Sequence, residues 1–401
     1  MRLLFYCLVT GIKNKNEYLG DMKQTFLFFA ALFYVISCPQ NLAAQQVTTV
    51  YKWFDPATAA SPVIEGRGWQ EGLAASYDRL PQKMEKLVRL PLWNLSHNTA
   101  GEYIDFKTTA TTIIVKYKVT GNHAMPHMPA TGVSGVDLYA KGANGSWQWA
   151  RGNYHFGDTI EYRFTNLVPP GKEAIFRLYL PLYNTITWMN IGVPADAMFA
   201  AIPAGTEKPI VVYGTSIMQG ACASRPGLAW PSILGRKINK RVINLGFSGN
   251  GQLETPLIDL INEIDAQVFV LDCMPNLTNR TRFPKEEVQR RIVAAVKGIR
   301  LQHGSTPILL VAHSGGLPGA DMDSTMTNEY KNTSLILSET FHNMVKEGVP
   351  HIYLLTDAAI GFGPESTVDG THPNDMGMIQ YAVAYEKIIR EIITTKQHKA
   401  N

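Results

Sequence analysis

Charge is scarce in this 401-residue chain: Asp, Glu, Lys and Arg together make up 17% of it, and the formal net charge is +4. No Lys/Arg-rich run interrupts the sequence, which excludes the basic stripe that tracks phosphates in nucleic-acid binders. Cysteine is scarcer still. Of Cys7, Cys38, Cys222 and Cys273, only the last two lie beyond residue 44. They leave room for one disulfide, or for two buried thiols that pack as small hydrophobes, and the sequence does not choose between them. No internal repeat or low-complexity tract is present. A metal site is not written in either. His123 and His127 are four apart, a spacing that suits a metal only on a helix, and Pro126 and Pro129 in the same loop exclude a helix. Nothing calls for a cofactor.

Apolar residues, by contrast, make up 45% of the chain, enough for a full core, and the length suits two or three domains. The amino terminus has the grammar of an export signal. Met22-Lys23 precedes the apolar run Phe26–Ile36, and small residues follow at Ala43-Ala44. The run is too short for a comfortable transmembrane helix. Residues 1–44 are therefore expected to be an upstream extension plus a signal peptide. Three outcomes are consistent with them: cleavage near Ala44, a lipid anchor at Cys38 in the lipobox-like Val35-Ile36-Ser37-Cys38, or a retained anchor. Each places the protein outside the cytoplasm, in the periplasm, at the outer membrane or secreted.

Two rhythms follow. Over residues 45–203 short segments rich in β-branched and aromatic residues, such as 111–119, 135–140, 146–149 and 174–180, alternate with Gly, Asn and Pro clusters. This predicts an all-β sandwich, jelly-roll-like. Trp147 and Trp149 alternate on one such strand, so they share a face: a sugar-stacking platform if exposed, core if buried. Residues 201–209 read as a linker. From residue 204 onward, continuous apolar strands (210–213, 242–245, 268–271, 308–312, 352–355) alternate with helical stretches (230–239, 254–264, 285–300, 327–346, 373–395). That pattern predicts an α/β domain of five parallel strands covered on both faces, with its ligand site beyond their carboxyl ends.

The chemistry collects at those ends. The first strand of this half runs into Gly214-Thr215-Ser216, and Asp369 and His372 stand three positions apart far downstream. A serine hydroxyl needs a base and a group to orient that base. Asp369 beside Nδ1 of His372 would leave Nε2 to face Ser216. The oxyanion formed on attack needs donors: the Ser216 N–H, the N–H of Gly249 in a loop without a Cβ to obstruct it, and the side-chain amide of Asn276. Each element has a plainer alternative: a helix-capping aspartate with a surface histidine, a turn glycine, an Asx turn after Pro275. In this order, each at a strand end, they describe a serine esterase. A second serine, Ser314 in Ala312-His313-Ser314-Gly315-Gly316, approaches a nucleophile-elbow pattern. Gly315, Gly316 and Pro318 follow where an elbow requires a helix, and too few strands remain.

These blocks resemble those of the SGNH/GDSL hydrolase superfamily, with Ser216, Gly249, Asn276 and the Asp369/His372 pair at the block positions. Gly135-Val136-Asp137-Leu138-Tyr139 is similar to the G-x-D-L-Y signature of β-sandwich domains that precede SGNH domains in bacterial proteins. The resemblance implies a flavodoxin-like three-layer α/β/α domain and ester hydrolysis through an acyl-enzyme. Thr215 departs from the family's Gly-Asp-Ser, and Leu277 from its usual Asp after the asparagine. Thr215, Met274, His313 and His127 are expected to touch substrate, His127 from an apolar loop that leans over the site. Removal of O-acetyl groups from carbohydrate is the expected reaction. A lipase or lysophospholipase activity is the alternative enzyme, and a carbohydrate-binding protein with a degenerate hydrolase domain the alternative without turnover. The expected partner is a small-molecule or glycan ester.

Overall fold

The computed structural model describes residues 49–167, 171–313, 315, 322 and 324–400, the side chains of 396–400 excepted. The signal pattern, Cys7, Cys38 and Ser314 lie outside the described residues. Residues Val50–Asn401 form one compact unit.

The first half supplies β1 (Tyr51–Phe54), β2 (Ile64–Glu65), β3 (Tyr103–Thr108), β4 (Thr112–Val119), β5 (Asp137–Lys141), β6 (Trp147–Ala150), β7 (Gly152–His155), β8 (Ile160–Thr165), β9 (Ala174–Tyr179), β10 (Ile186–Pro194) and β11 (Phe199–Ala201). They make two antiparallel sheets, ordered β1-β10-β4-β8-β7 and β11-β3-β9-β5-β6, with β2 paired on β3. The period of two decides which side chains go inward. Ile113, Val115 and Tyr117 of β4 meet Ile104 and Phe106 of β3 and Phe176 and Leu178 of β9 in one shared core.

The second half supplies β12 (Ile210–Gly214), β13 (Val242–Gly246), β14 (Val268–Asp272), β15 (Ile308–Val311) and β16 (Ile352–Leu355), all parallel in the order β13-β12-β14-β15-β16. All five strands match the sequence expectation to within one residue at each end. The closing helix differs more: it runs Asp375–Ala400, because Pro373 is engaged in a bridge with Thr367. Alternate residues face opposite helical layers. Val211, Tyr213, Leu271 and Leu310 pack on helices Thr255–Ile261, Lys285–Gln302 and Ser324–Lys346. Val212, Val270, Leu309 and Val311 pack on helices Trp230–Ile238 and Asp375–Ala400. Burial on both faces accounts for the unbroken apolar runs. The chain leaves β12 toward β13 on one side and returns to β14 on the other, so a crevice opens between the carboxyl ends of β12 and β14.

The two halves are joined through buried polar groups, and the G-x-D-L-Y segment is one of them. Asp137 is 3% exposed and accepts from Arg225 Nη1 (2.5 Å), Gly227 N (3.0 Å) and Trp149 Nε1 (2.7 Å). Tyr139 accepts a second bond from Arg225 Nη1 at 2.7 Å, while Leu138 enters the core shared by the two antiparallel sheets. Gly227 is required there: a Cβ would stand 2.3 Å from the Tyr139 ring and 2.5 Å from Asp137 Oδ2. Trp147 and Trp149 therefore form neither a free platform nor core. Trp149 is bonded to Asp137 with Arg225 4.4 Å above its ring, and Arg177 lies 4.6 Å over Trp147.

Removing the Asp137 carboxylate takes an acceptor from the half-buried Arg225 guanidinium, from the Trp149 ring N–H and from the buried Gly227 N–H. Asp137→Ala is expected to lower the unfolding free energy by about 1–3 kcal/mol, the usual cost of leaving a buried donor such as the Gly227 N–H unsatisfied. Urea denaturation checks this, and a loss below about 1 kcal/mol would show that Arg225 finds another partner.

Candidate active site

Gly214 ends β12 in register with Gly246 of β13 and Asp272 of β14, and the chain turns at once into a short helix, Ser216–Gln219. The sequence pattern shows the turn but not this helix, which is one turn long. Two glycines let it sit tightly. A Cβ on Gly246 would stand 2.2 Å from the Gln219 amide nitrogen, and one on Gly251 would stand 2.2 Å from the Gly214 carbonyl oxygen. Ser216 opens the helix, where N–H groups have no acceptor within the helix itself.

Ser216, His372 and Asp369 come together in one line. Ser216 Oγ is 2.8 Å from His372 Nε2, and His372 Nδ1 is 2.7 Å from Asp369 Oδ2. The second carboxylate oxygen of Asp369 accepts from the His372 N–H at 2.8 Å and the Thr371 N–H at 3.1 Å. Asp369 thus organises a turn ahead of the closing helix; it does not cap that helix. Partial burial pushes its carboxyl upward, but the amide and ring of His372 and the Thr371 amide outweigh this and hold it below the usual carboxylate range.

The other two oxyanion candidates lie on neighbouring loops. Gly249 is exposed at φ +69°, with nothing within 4 Å of where a Cβ would be. Asn276 closes the turn Met274–Asn276 after β14, and its Oδ1 accepts from Gly251 N at 3.0 Å. That bond fixes the amide so that Nδ2 points away from Gly251, and it ties the β13 and β14 loops together.

Of the four expected substrate contacts, His127 stands beside the line, its ring centroid 6.0 Å from that of His372. The loop holding it belongs to the β-region, and Met128 of that loop packs into the α/β core. His123 diverges to Phe156. The other three expectations are corrected by burial. Thr215 is 0% exposed and Met274 2%, the latter inside the helical core. His313 is 1% exposed and lies on Tyr330, whose hydroxyl bonds Thr371 beside His372. It backs the site from behind. The disulfide is also corrected: Cys222 and Cys273 are buried free thiols. Cys273 faces the helical core with Sγ on the Tyr213 carbonyl, while burial, with the charge of Asp369, pushes the Cys222 thiol up to about 12. Both are therefore poor nucleophiles.

Several supporting residues carry no sequence motif. Tyr183 donates to the Ser216 carbonyl at 3.2 Å. Gln219 accepts from Ser248 N (2.9 Å) and donates to Asn98 and Leu182. Arg79, fully buried, donates to the carbonyls of Asn244 (3.1 Å) and Gly246 (2.8 Å) at the end of β13. None of them had a signal in the sequence, since each is recognised only by the groups it meets in the fold.

Residues 207–390 match the family of GDSL-like lipases and acylhydrolases, and residues 51–199 match the family described as the N-terminus of SGNH-hydrolase-type esterases. The molecule is thus an SGNH-type ester hydrolase with an amino-terminal β-region. A solved structure described as a GDSL-like lipase, from Bacteroides ovatus, is 31% identical, with a TM-score of 0.77 over 86% of this chain and 98% of that one. The chain belongs to the GDSL-like lipase/acylhydrolase family. The salicylyl-acyltransferase SsfX3 of a tetracycline biosynthetic pathway shares the fold at 19% identity, with a TM-score of 0.66 over 85% of this chain and 97% of that one. So does a family two carbohydrate esterase from Cellvibrio japonicus, at 11% identity and a TM-score of 0.51 over 86% of this chain and 99% of that one. A comparison with curated proteins gives no match.

Two stability measurements probe this geometry. Thr215 Oγ1 is buried with no hydrogen-bond partner among the described residues, so Thr215→Val is expected to stabilise the fold by about 1 kcal/mol. A destabilised variant in urea would reveal a partner, such as an enclosed water. The folded carboxyl of Asp369 lies below its unfolded value near about 3.9, so its contribution is present at neutral pH and lost as pH falls through the folded value. Asp369→Asn is therefore expected to lower the thermal midpoint at pH 7, the gap from the parent closing in acid. A gap independent of pH would sink that assignment.

Proposed function

We propose that this protein is a serine esterase that removes O-acetyl groups from carbohydrate through an acyl-enzyme. The observation that carries the reading is the continuous hydrogen-bonded line from Ser216 Oγ through His372 to Asp369. In the resting state Nδ1–H of His372 donates to Asp369, leaving Nε2 to accept the Ser216 hydroxyl. As Ser216 Oγ attacks the ester carbonyl carbon, His372 takes its proton, and Asp369 stabilises the imidazolium. The carbonyl oxygen, now negative, is held by the Ser216 and Gly249 N–H groups and Asn276 Nδ2. The tetrahedral intermediate collapses, the proton passes from His372 to the leaving alkoxide, and the alcohol departs. Water then repeats the sequence on the acyl-enzyme and releases the acid.

Enclosure supports a short acyl group. Ser216 is 6% exposed, with the His127 loop and Tyr183 at its sides. The two antiparallel sheets support the glycan half of the reading. Their strand order, with β6 and β7 as one strand split between the sheets, suits a jelly roll, an architecture shared with lectin domains. The likeness to a carbohydrate esterase adds analogy at the level of fold. The amino-terminal signal pattern supports action outside the cytoplasm, with cleavage near Ala44 or a lipid anchor at Cys38. The complete triad line weighs against a binding protein without turnover.

Hydrolysis of p-nitrophenyl acetate and p-nitrophenyl octanoate tests the reading. Acetate is expected to be preferred. Ser216→Ala is expected to remove nearly all turnover and Asp369→Asn to lower kcat by about three to four orders of magnitude. Preference for octanoate would favour a lipase instead. Turnover that survives Ser216→Ala would exclude the proposed nucleophile.

A further inference from the structure

Beside the Gly249 loop lies a cavity of about 350 Å³, within the range of about 300–1,000 Å³ found for small-ligand sites. Its walls come from four segments: Leu87–Arg89 of the β-region, the stretch after Gly249, the loop after β14 with Arg282 and Phe283, and helix Lys285–Gln302 with Arg291. Three guanidinium groups line it. Arg89 is paired with Glu254 and donates to Asn250, and Arg291 is paired with Glu287 and donates to the Gln252 carbonyl. Arg282 has no carboxylate partner among the described residues. Its side chain donates to Gln252 Oε1 at 3.3 Å and stands 5.0 Å from the centre of the Phe283 ring. Glu287 is shared with Arg290, so guanidiniums outnumber carboxylates around the pocket, and Arg282, the one without a carboxylate partner among the described residues, is exposed at its mouth beside apolar walls at Leu87 and Phe283.

We infer that this cavity is a subsite for a carboxylate-bearing sugar in the alcohol part of the substrate, with Arg282 as its anchor. This rests on the hydrolytic reading of Ser216. A planar guanidinium recognises a carboxylate through two parallel N–H···O bonds, whereas a neutral sugar offers it only hydroxyls. The apolar walls suit the C–H face of a sugar ring. Gln252 links the pocket to the site: it is 3% exposed, its Oε1 accepts from Arg282, and its Nε2 donates to the Gly249 carbonyl at 3.0 Å. An acidic unit seated here therefore lies against the loop that offers the Gly249 N–H to the oxyanion. The enzyme is assigned a preference for acetyl groups on uronic-acid-containing glycans over those on neutral ones.

The test compares kcat/KM on acetylated oligogalacturonate and acetylated xylo-oligosaccharide for the parent, Arg282→Ala and Arg282→Lys. Calorimetry with unacetylated trigalacturonate and xylotriose runs alongside. Arg282→Ala is expected to lower the acidic-to-neutral ratio of kcat/KM about tenfold and to weaken trigalacturonate binding by a similar factor. Arg282→Lys is expected to recover part of both. A ratio that stays within twofold across the three proteins, or a parent that binds trigalacturonate no tighter than xylotriose, overturns the subsite while leaving acetyl ester hydrolysis standing. Trigalacturonate binding that depends on Arg282, in a protein that hydrolyses neither ester, keeps the subsite and overturns the hydrolytic reading.

Discussion

The site depends on one buried cation. Arg79 is fully enclosed and spends its N–H groups on four carbonyls, those of Leu95, Asn98, Asn244 and Gly246. Two belong to the β-region and two to the end of β13, so a single side chain fastens one half of the molecule to the other at the edge where the chemistry is placed. Burial lowers its pKa to about 10, opposed by the nearby charge of Glu102, and the guanidinium lies 4.7 Å from the centre of the Phe247 ring. Asn244 continues the chain of contacts, donating to the Met218 carbonyl in the helix that Ser216 opens. The serine, the Gly249 loop and the β-region thus share one rigid support, as preorganised electrostatic catalysis requires.

Much of this was legible in the sequence, for definite reasons. The α/β half repeats one physical pattern, a doubly buried strand followed by an amphipathic helix, and β12 to β16 could be placed from it. Ser216, Asp369 and His372 could be paired because their chemistry needs a fixed chain order at strand ends. The β-region was harder: β1, β3, β7, β8 and β10 alternate apolar and polar residues over short spans, and their pairing depends on partners distant in sequence. The failures share a cause too. Thr215 adjoins Ser216, Met274 opens the turn that Asn276 closes, and His313 follows β15, but each side chain is turned inward, Met274 into the helical core and His313 onto Tyr330, so each falls behind the surface. Arg79 and Gln219 escaped notice because a buried polar group reveals itself only through the carbonyls it meets.

The β-region is therefore part of the site in a physical sense. It supplies His127 beside His372, Tyr183 on the Ser216 carbonyl, and one wall of the Arg282 cavity. The G-x-D-L-Y segment is explained by the same logic. Asp137 and Tyr139 bind the Arg225–Gly227 turn of the α/β half, and Leu138, pointing the other way along β5, belongs to the core of the β-region.

Sequence distance gives the Arg79 contact a further consequence, for the order in which the molecule forms. The bond from Arg79 to the Gly246 carbonyl spans 167 residues, and that from Ser216 to His372 spans 156. Contacts of such range close large loops, and their entropic cost must be met before they contribute anything. The strand pairs within each half close shorter loops, that of β1 on β10 being the longest. The reactive serine thus depends on contacts of long range in the chain, and a molecule that has not closed them has no line from Ser216 to His372.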